Sequence, residues 1–203
     1  MTTLIITAVF TIAYLAVTAW LCRGLKLNAR NLAMGGLACA LTLILSAIKI
    51  PLPTGAAITC GSWIPLMLLA LVYDSRLAFV SGWVCGILAM VLLPAWQPVH
   101  WAQIFVEHLV AFSCLGYAGV FGSDKKWKVL AGSLLAILLR FVGQVLSGVI
   151  FFSQNAWDGW SAWGYSLTYH LSCKIPEGIL TLVILMILPL NTLKKAAKGA
   201  ART

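Results

Sequence analysis

The chain has 203 residues, 62% hydrophobic and 9% charged, with a mean hydropathy of +0.98. Soluble domains average about 45–50% apolar and 25% charged residues, so a water-soluble globule and a large soluble enzymatic domain are both excluded. Fourteen Lys and Arg against five Asp and Glu give a formal net charge of +9. The cations fall between apolar runs, where the positive-inside rule and anionic lipid account for them, and no nucleic-acid partner is expected.

Seven apolar segments are read in chain order: 3–22, 31–50, 56–73, 77–95, 102–121, 129–152 and 165–191. Each approaches the ~20 residues that a crossing helix needs. Helices are the expected form because backbone polar groups in lipid must be satisfied internally. The expectation is therefore an all-α integral membrane protein. The first segment lacks a basic leader and is followed by Arg23, Lys26 and Arg30, a retained signal-anchor pattern rather than a cleaved one. Alternate loops carry the cations: Arg23, Lys26 and Arg30, then Arg76, then Lys125, Lys126 and Lys128, then Lys194, Lys195, Lys198 and Arg202. The loops 51–55, 96–101 and 153–164 carry none. That alternation predicts seven spans with the N-terminus outside and the C-terminus in the cytoplasm.

Within the second segment, 33–40 reads AMGGLACA and sets Gly36 and Ala40 one turn apart, with Gly35 and Cys39 beside them. Gly82 and Gly86 form a GxxxG in the fourth. Small-residue stripes let helices approach closely, mostly within one bundle. The outer segments 94–101 and 153–165 concentrate Trp96, Trp101, Trp157, Trp160 and Trp163 with amides and Asp158. They form either an interfacial aromatic belt or a belt that doubles as a lid over a pocket for a flat polar or cationic molecule.

Ionisable residues inside apolar segments are costly and face the protein interior or a watery cavity. Glu107 opens the fifth segment, with His108 beside it and Gln103 one turn away. It is either a ligand's counter-charge or an interface carboxylate bonded to its neighbours. Gln144, Gly148 and Phe152 share one stripe of the sixth segment, readable as a ligand wall or as ordinary helix packing. Lys174 and Glu177 are three apart and positioned to pair, with Pro176 between them, and Arg140 needs a partner. The six cysteines stand singly without metal-ligand spacing, so neither metal nor disulfide is expected. No Walker A, GxSxG or HExxH pattern occurs, so no cofactor is expected and transport or binding outranks catalysis.

Two stretches carry a resemblance. QIFVEHLVAFSCLGYAGVF (103–121) and, within 138–180, FFSQNAWDGWSAWGYSLTYHLSCKIPEGIL resemble substrate-binding S-components of energy-coupling factor (ECF) vitamin transporters, in particular the thiamine-specific ones. The resemblance covers about 31–191. It implies a six-helix substrate-binding membrane domain over 31–191, preceded by an additional transmembrane helix and basic cytoplasmic loop (1–30) and followed by a basic cytoplasmic tail (192–203). It also implies capture at the outer face of a vitamin, thiamine or a related pyrimidine or B6-type heterocycle. Its partners would be a transmembrane coupling subunit and two ATPases, in the cell membrane of a prokaryote. Glu107, with His108 adjacent, would match the family's carboxylate, Gly148 its wall glycine and Tyr165 its ring-contacting tyrosine. The family's histidine, stacking tryptophan and asparagine are replaced by Gln144, Phe152 and His170, and a Trp and a Glu of its second helix by Ala56 and Cys60. Trp157 would help close the lid with Trp160 and Trp163, and Gly36 and Ala40 would face the coupling subunit. The competing expectation is a self-sufficient secondary transporter or channel for a small organic cation, built on Lys174, Glu177 and Arg140.

Overall fold

The computed structural model describes residues 2–93 and 97–199; Trp96 and Arg202 lie outside the described residues. In chain order the elements are α1 (Thr2–Leu21), α2 (Ala29–Ala47), a hairpin of β1 (Lys49–Pro51) and β2 (Ala57–Thr59), α3 (Ile64–Tyr73), α4 (Ser75–Leu92), α5 (Ile104–Gly119), α6 (Lys126–Phe151), α7 (Ala162–Ile187) and α8 (Leu190–Gly199). Five of these helices, α1, α2, α4, α6 and α7, are long and apolar enough to cross a membrane, whereas α3 and α5 are shorter.

Two of the seven expected crossings are helical over less than a full span or wound irregularly. Segment 56–73 opens as the antiparallel strand β2, paired Lys49↔Thr59, Ile50↔Ile58 and Pro51↔Ala57. Two glycines, Gly55 at φ +82° and Gly61 at φ +76°, turn the chain there, and such angles break a helix. Only Ile64–Tyr73 remains helical. The fifth segment winds from a wide π-turn stretch (Ile104–Leu109) through one regular turn (Val110–Ser113) into a tight 3-10 stretch (Cys114–Gly119). A third difference lies at the C-terminus. Leu188 precedes Pro189 and is extended (ψ 138°), which ends α7, and the region read as a tail forms the separate helix α8.

α4 occupies the centre because its small residues admit neighbours at backbone distance. A methyl group on Gly82 would run into the backbone of Ser113, and one on Gly86 into the His108 carbonyl. The GxxxG is thus an internal seam between α4 and α5. α2 divides its small residues between two faces. Gly35 packs on Ser81 of α4, whereas Gly36 has nothing within 4 Å of its would-be side chain. Gly36 and Ala40 both line an open apolar groove of about 500 Å³ between α2 and α4. α1 turns a buried stripe of Thr7, Thr11, Tyr14 and Thr18 toward the bundle, and Tyr14 and Thr18 make the hydrogen bonds that hold it. The Tyr14 hydroxyl lies 2.7 Å from Ser113 Oγ, and Thr18 Oγ1 3.3 Å from the Tyr117 hydroxyl.

A buried ionic network fixes the hairpin against α7. Glu177 is fully buried; its Oε1 accepts from Thr59 Oγ1 and, at 3.2 Å, from Ser62 Oγ. Lys174 Nζ stands 3.6 Å from Oε2, the pairing expected from their spacing. The Trp63 ring has both the Lys174 ammonium (5.6 Å) and the Arg140 guanidinium (5.2 Å) against it; Arg140 also covers the Phe112 ring and donates to the Ala111 carbonyl. Removing one member of a buried pair leaves an uncompensated charge at a cost of about 3–5 kcal/mol, whereas removing both is far milder.

Two outcomes follow for thermal unfolding in detergent. Glu177→Leu lowers the midpoint sharply and the double variant Lys174→Met with Glu177→Leu regains most of the loss; equal effects of the single and double changes would contradict the pairing. Gly86→Val destabilises by about 1–3 kcal/mol through overpacking, and an unshifted midpoint would contradict the α4–α5 seam.

Candidate ligand-binding site

Beside the hairpin lies a cavity of about 360 Å³. One wall is the hairpin region, with Lys49, Gly55, Ala57 and Thr59; α5 contributes Glu107, α6 contributes Gln144, and α7 contributes Tyr169, His170, Cys173 and Lys174. The spacing on α7, in which 169 and 170 recur at 173 and 174, is that of a single helical face.

Polar side chains hold Glu107 in place. Gln103 is buried, accepts at Oε1 from the Val99 amide (2.9 Å), and donates from Nε2 to Glu107 Oε2 (2.5 Å). Ser147 of α6 donates to the same oxygen at 2.8 Å. Among the described residues Oε1 of Glu107 accepts nothing. Gln144 is 3% exposed and its Oε1 also has no partner, although buried polar atoms are almost always paired. His170 Nδ1 lies 2.8 Å from the Ser166 carbonyl. A carbonyl only accepts, so Nδ1 carries the proton, which leaves Nε2 as the acceptor in the neutral form of the ring. Three acceptors without partners thus belong to one small space, beside the ring faces of Tyr169 and His170.

The cavity also holds cations. Lys174 is committed to Glu177. Lys49 lies in β1, outside the membrane-spanning helices, where partial desolvation and the neighbouring Lys174 charge push its ammonium below the usual lysine range.

Of the expected residues, the cavity brings together Glu107, Gln144 and His170. Gly148 acts from behind them: a methyl group there would meet Ser166 Oγ and, at 2.9 Å, the His170 ring, so the missing side chain is what lets α7 seat His170. His108 is fully buried with its carbonyl against Gly86 and does not line the cavity. One residue further along the helix, it belongs to the α4-facing side. Phe152, half-buried at the end of α6, is also outside the lining. Trp157 and Tyr165 do not reach it either, but join an aromatic file running inward: Trp160–Trp157 (5.1 Å), Trp157–Tyr165 (5.1 Å), Tyr165–Tyr169 (5.7 Å) and Tyr169–His170 (5.3 Å). Trp160 and Trp163 are exposed, and the enclosing wall expected of the tryptophans is supplied by the hairpin, to which the Tyr169 hydroxyl reaches at the Gly55 carbonyl (3.4 Å).

Lys49, Tyr169 and the hairpin are the parts that the reading of the sequence missed. The signal was present: Pro51, Pro53 and Gly55 end the helical pattern ahead of residue 50, which takes Lys49 out of the span and into the site.

Comparisons with known proteins agree with this architecture. The solved structure of ThiT from Listeria monocytogenes superimposes with a TM-score of 0.71 over 84% of this chain and 98% of that one, at 22% identity, and shares the fold. The thiamine transporter ThiT of Bacillus subtilis (strain 168) is 28% identical over 159 residues, covering 71% of this chain and 81% of the relative. The family model described as thiamine transporter protein matches residues 32–197, from α2 into α8, leaving α1 outside. The chain therefore belongs to the thiamine transporter protein family, membrane transport proteins and not enzymes.

Proposed function

We propose that the chain is the substrate-binding S-component of an ECF-type importer and takes thiamine into the cavity beside the hairpin. The observation that carries this reading is the set of bare acceptors, Glu107 Oε1, Gln144 Oε1 and His170 Nε2, in a space edged by aromatic rings. Thiamine offers the complement: an exocyclic amine that donates, a flat pyrimidine and a permanently cationic thiazolium. Glu107 supplies the counter-charge, since Glu177 is already neutralised by Lys174. Gln144 and His170 orient the polar edges, and Tyr169 presents a ring face braced by Tyr165 and Trp157.

The exposed Gly36 and Ala40 fit the face that meets a coupling subunit, which with two ATPases would drive uptake. A topology with the N-terminus outside places the hairpin and cavity at the outer surface of a prokaryotic cell membrane and the Arg23–Arg30 and Lys125–Lys128 clusters inside. α3, about 15 Å long by its rise per residue, then covers its crossing together with the hairpin. The competing reading of an ion-driven carrier finds its residues already engaged: Lys174 and Glu177 with each other, and Arg140 with Trp63, Phe112 and Ala111.

Thiamine titrated into the purified chain quenches tryptophan fluorescence saturably. Glu107→Gln weakens that binding well over tenfold, since removing one member of a desolvated charged contact costs about 2–5 kcal/mol. Unchanged affinity in Glu107→Gln would take Glu107 out of the site, and absence of binding by the unaltered chain would overturn the thiamine reading.

A further inference from the structure

At the far end of α2 from the hairpin, a second opening of about 340 Å³ runs between α2, α3 and α8. Leu37 and Leu41 of α2 and Leu68 and Val72 of α3 form its sides, and Leu193 and Ala197 of α8 close its foot. The sides are apolar and the foot is basic. Arg30 lies over the Tyr73 ring (5.5 Å to its centre), which itself lines the groove, and donates to the Ala197 carbonyl. Lys26 lies just before α2, and Lys194 and Lys195 lie on α8. Among the described residues the carboxylates at this end are spent elsewhere, Asp74 on Arg76 at 2.8 Å and Asp124 on Lys128 at 2.9 Å. The cations around the groove's foot therefore carry a positive charge that the protein itself does not offset.

We propose that this groove is a binding site for an anionic phospholipid, with an acyl chain along Leu37, Leu41, Leu68 and Val72 and the phosphate at Arg30 and the α8 lysines. Charge complementarity selects this occupant. A peptide helix would leave the cations unmatched, whereas a diacyl phosphate lipid presents an apolar tail and an anionic head in the order in which the groove presents its apolar sides and basic foot. Basic residues at the membrane surface attract anionic headgroups, and a snug apolar slot adds contacts that a bare charged surface lacks. The bound lipid would staple α8 to α2, the helix that carries Gly36 and Ala40 on its neighbouring face. The site is separate from the cavity beside the hairpin.

The test uses the full chain in an uncharged detergent, titrated with phosphatidylglycerol or phosphatidylcholine and followed by native mass spectrometry. Phosphatidylglycerol binds about fivefold or more tightly than phosphatidylcholine, as expected for even one favourable headgroup contact. Leu41→Trp, which fills the groove from a position already partly exposed, lowers retention of phosphatidylglycerol severalfold. Arg30→Gln removes the preference between the two lipids while phosphatidylcholine retention is unchanged. Equal affinity for the two lipids overturns the proposal, as does a preference that survives Leu41→Trp. Circular dichroism confirms that each variant keeps its helices, and if Arg30→Gln loosens α8 the Leu41→Trp result decides.

Discussion

Inside a lipid-embedded bundle, a polar group has no water to fall back on and must be paired by the protein or by something it binds. The structure meets this rule unevenly: Glu177 Oε1 accepts two hydrogen bonds, whereas Glu177 Oε2, Trp63 Nε1 and, in the cavity, Gln144 Oε1 make none among the described residues. Glu177 is surrounded by Thr59, Ser62 and Lys174, and Arg140 by a carbonyl and two rings. These bonds tie the hairpin to α7 and so fix the shape of the space between them. In the cavity beside them, Gln144 Oε1 is buried and bare, and Glu107 has one oxygen held by Gln103 and Ser147 while the other accepts nothing among the described residues. The ionic network shapes the cavity, and the role proposed for Glu107 and Gln144 is to receive a donor from the guest.

Much of this was legible in the sequence because it follows from spacing. Lys174 and Glu177 are three apart and do pair. Glu107, Gln144 and His170 stood out as polar residues in apolar surroundings, and they meet. The GxxxG at Gly82 and Gly86 reads as close packing and is close packing, against the backbone of α5. What spacing could not show is where a long apolar run stops being helix. Composition gives Val, Ile and Thr the same weight in a strand as in a span, so the hairpin was hidden in segments 31–50 and 56–73, and with it went Lys49. The tryptophans show a related limit. Trp160 and Trp163 sit at the rim, as amphipathic rings do at a membrane interface, and density of rings along the sequence does not say which of them turns inward. The ring that lines the cavity is Tyr169, one residue from His170.

α1 shows how such a bundle takes on an extra helix. Lipid is as apolar as leucine, so a hydrophobic surface alone does not hold a helix in place. α1 instead turns Tyr14 and Thr18 toward Ser113 and Tyr117 of α5 and leaves Leu4, Ile5, Val9 and Ile12 to the lipid side. It packs on α5 and α6, behind the helices that carry Glu107 and Gln144, and leaves free the α2 face with Gly36 and Ala40. An added helix in this position braces the site without covering the face proposed for the coupling subunit.

The central claim is that the cavity's bare acceptors select a donor on the guest. It is tested most directly by calorimetric titration of the purified chain with thiamine and with the analogue whose exocyclic pyrimidine amine is replaced by an oxo group, which also places a proton on a pyrimidine ring nitrogen and leaves the cationic ring unchanged. The account predicts that the oxo analogue binds at least about tenfold more weakly, because a carbonyl set against unpaired acceptors satisfies neither partner. Equal affinities for the two compounds would contradict it.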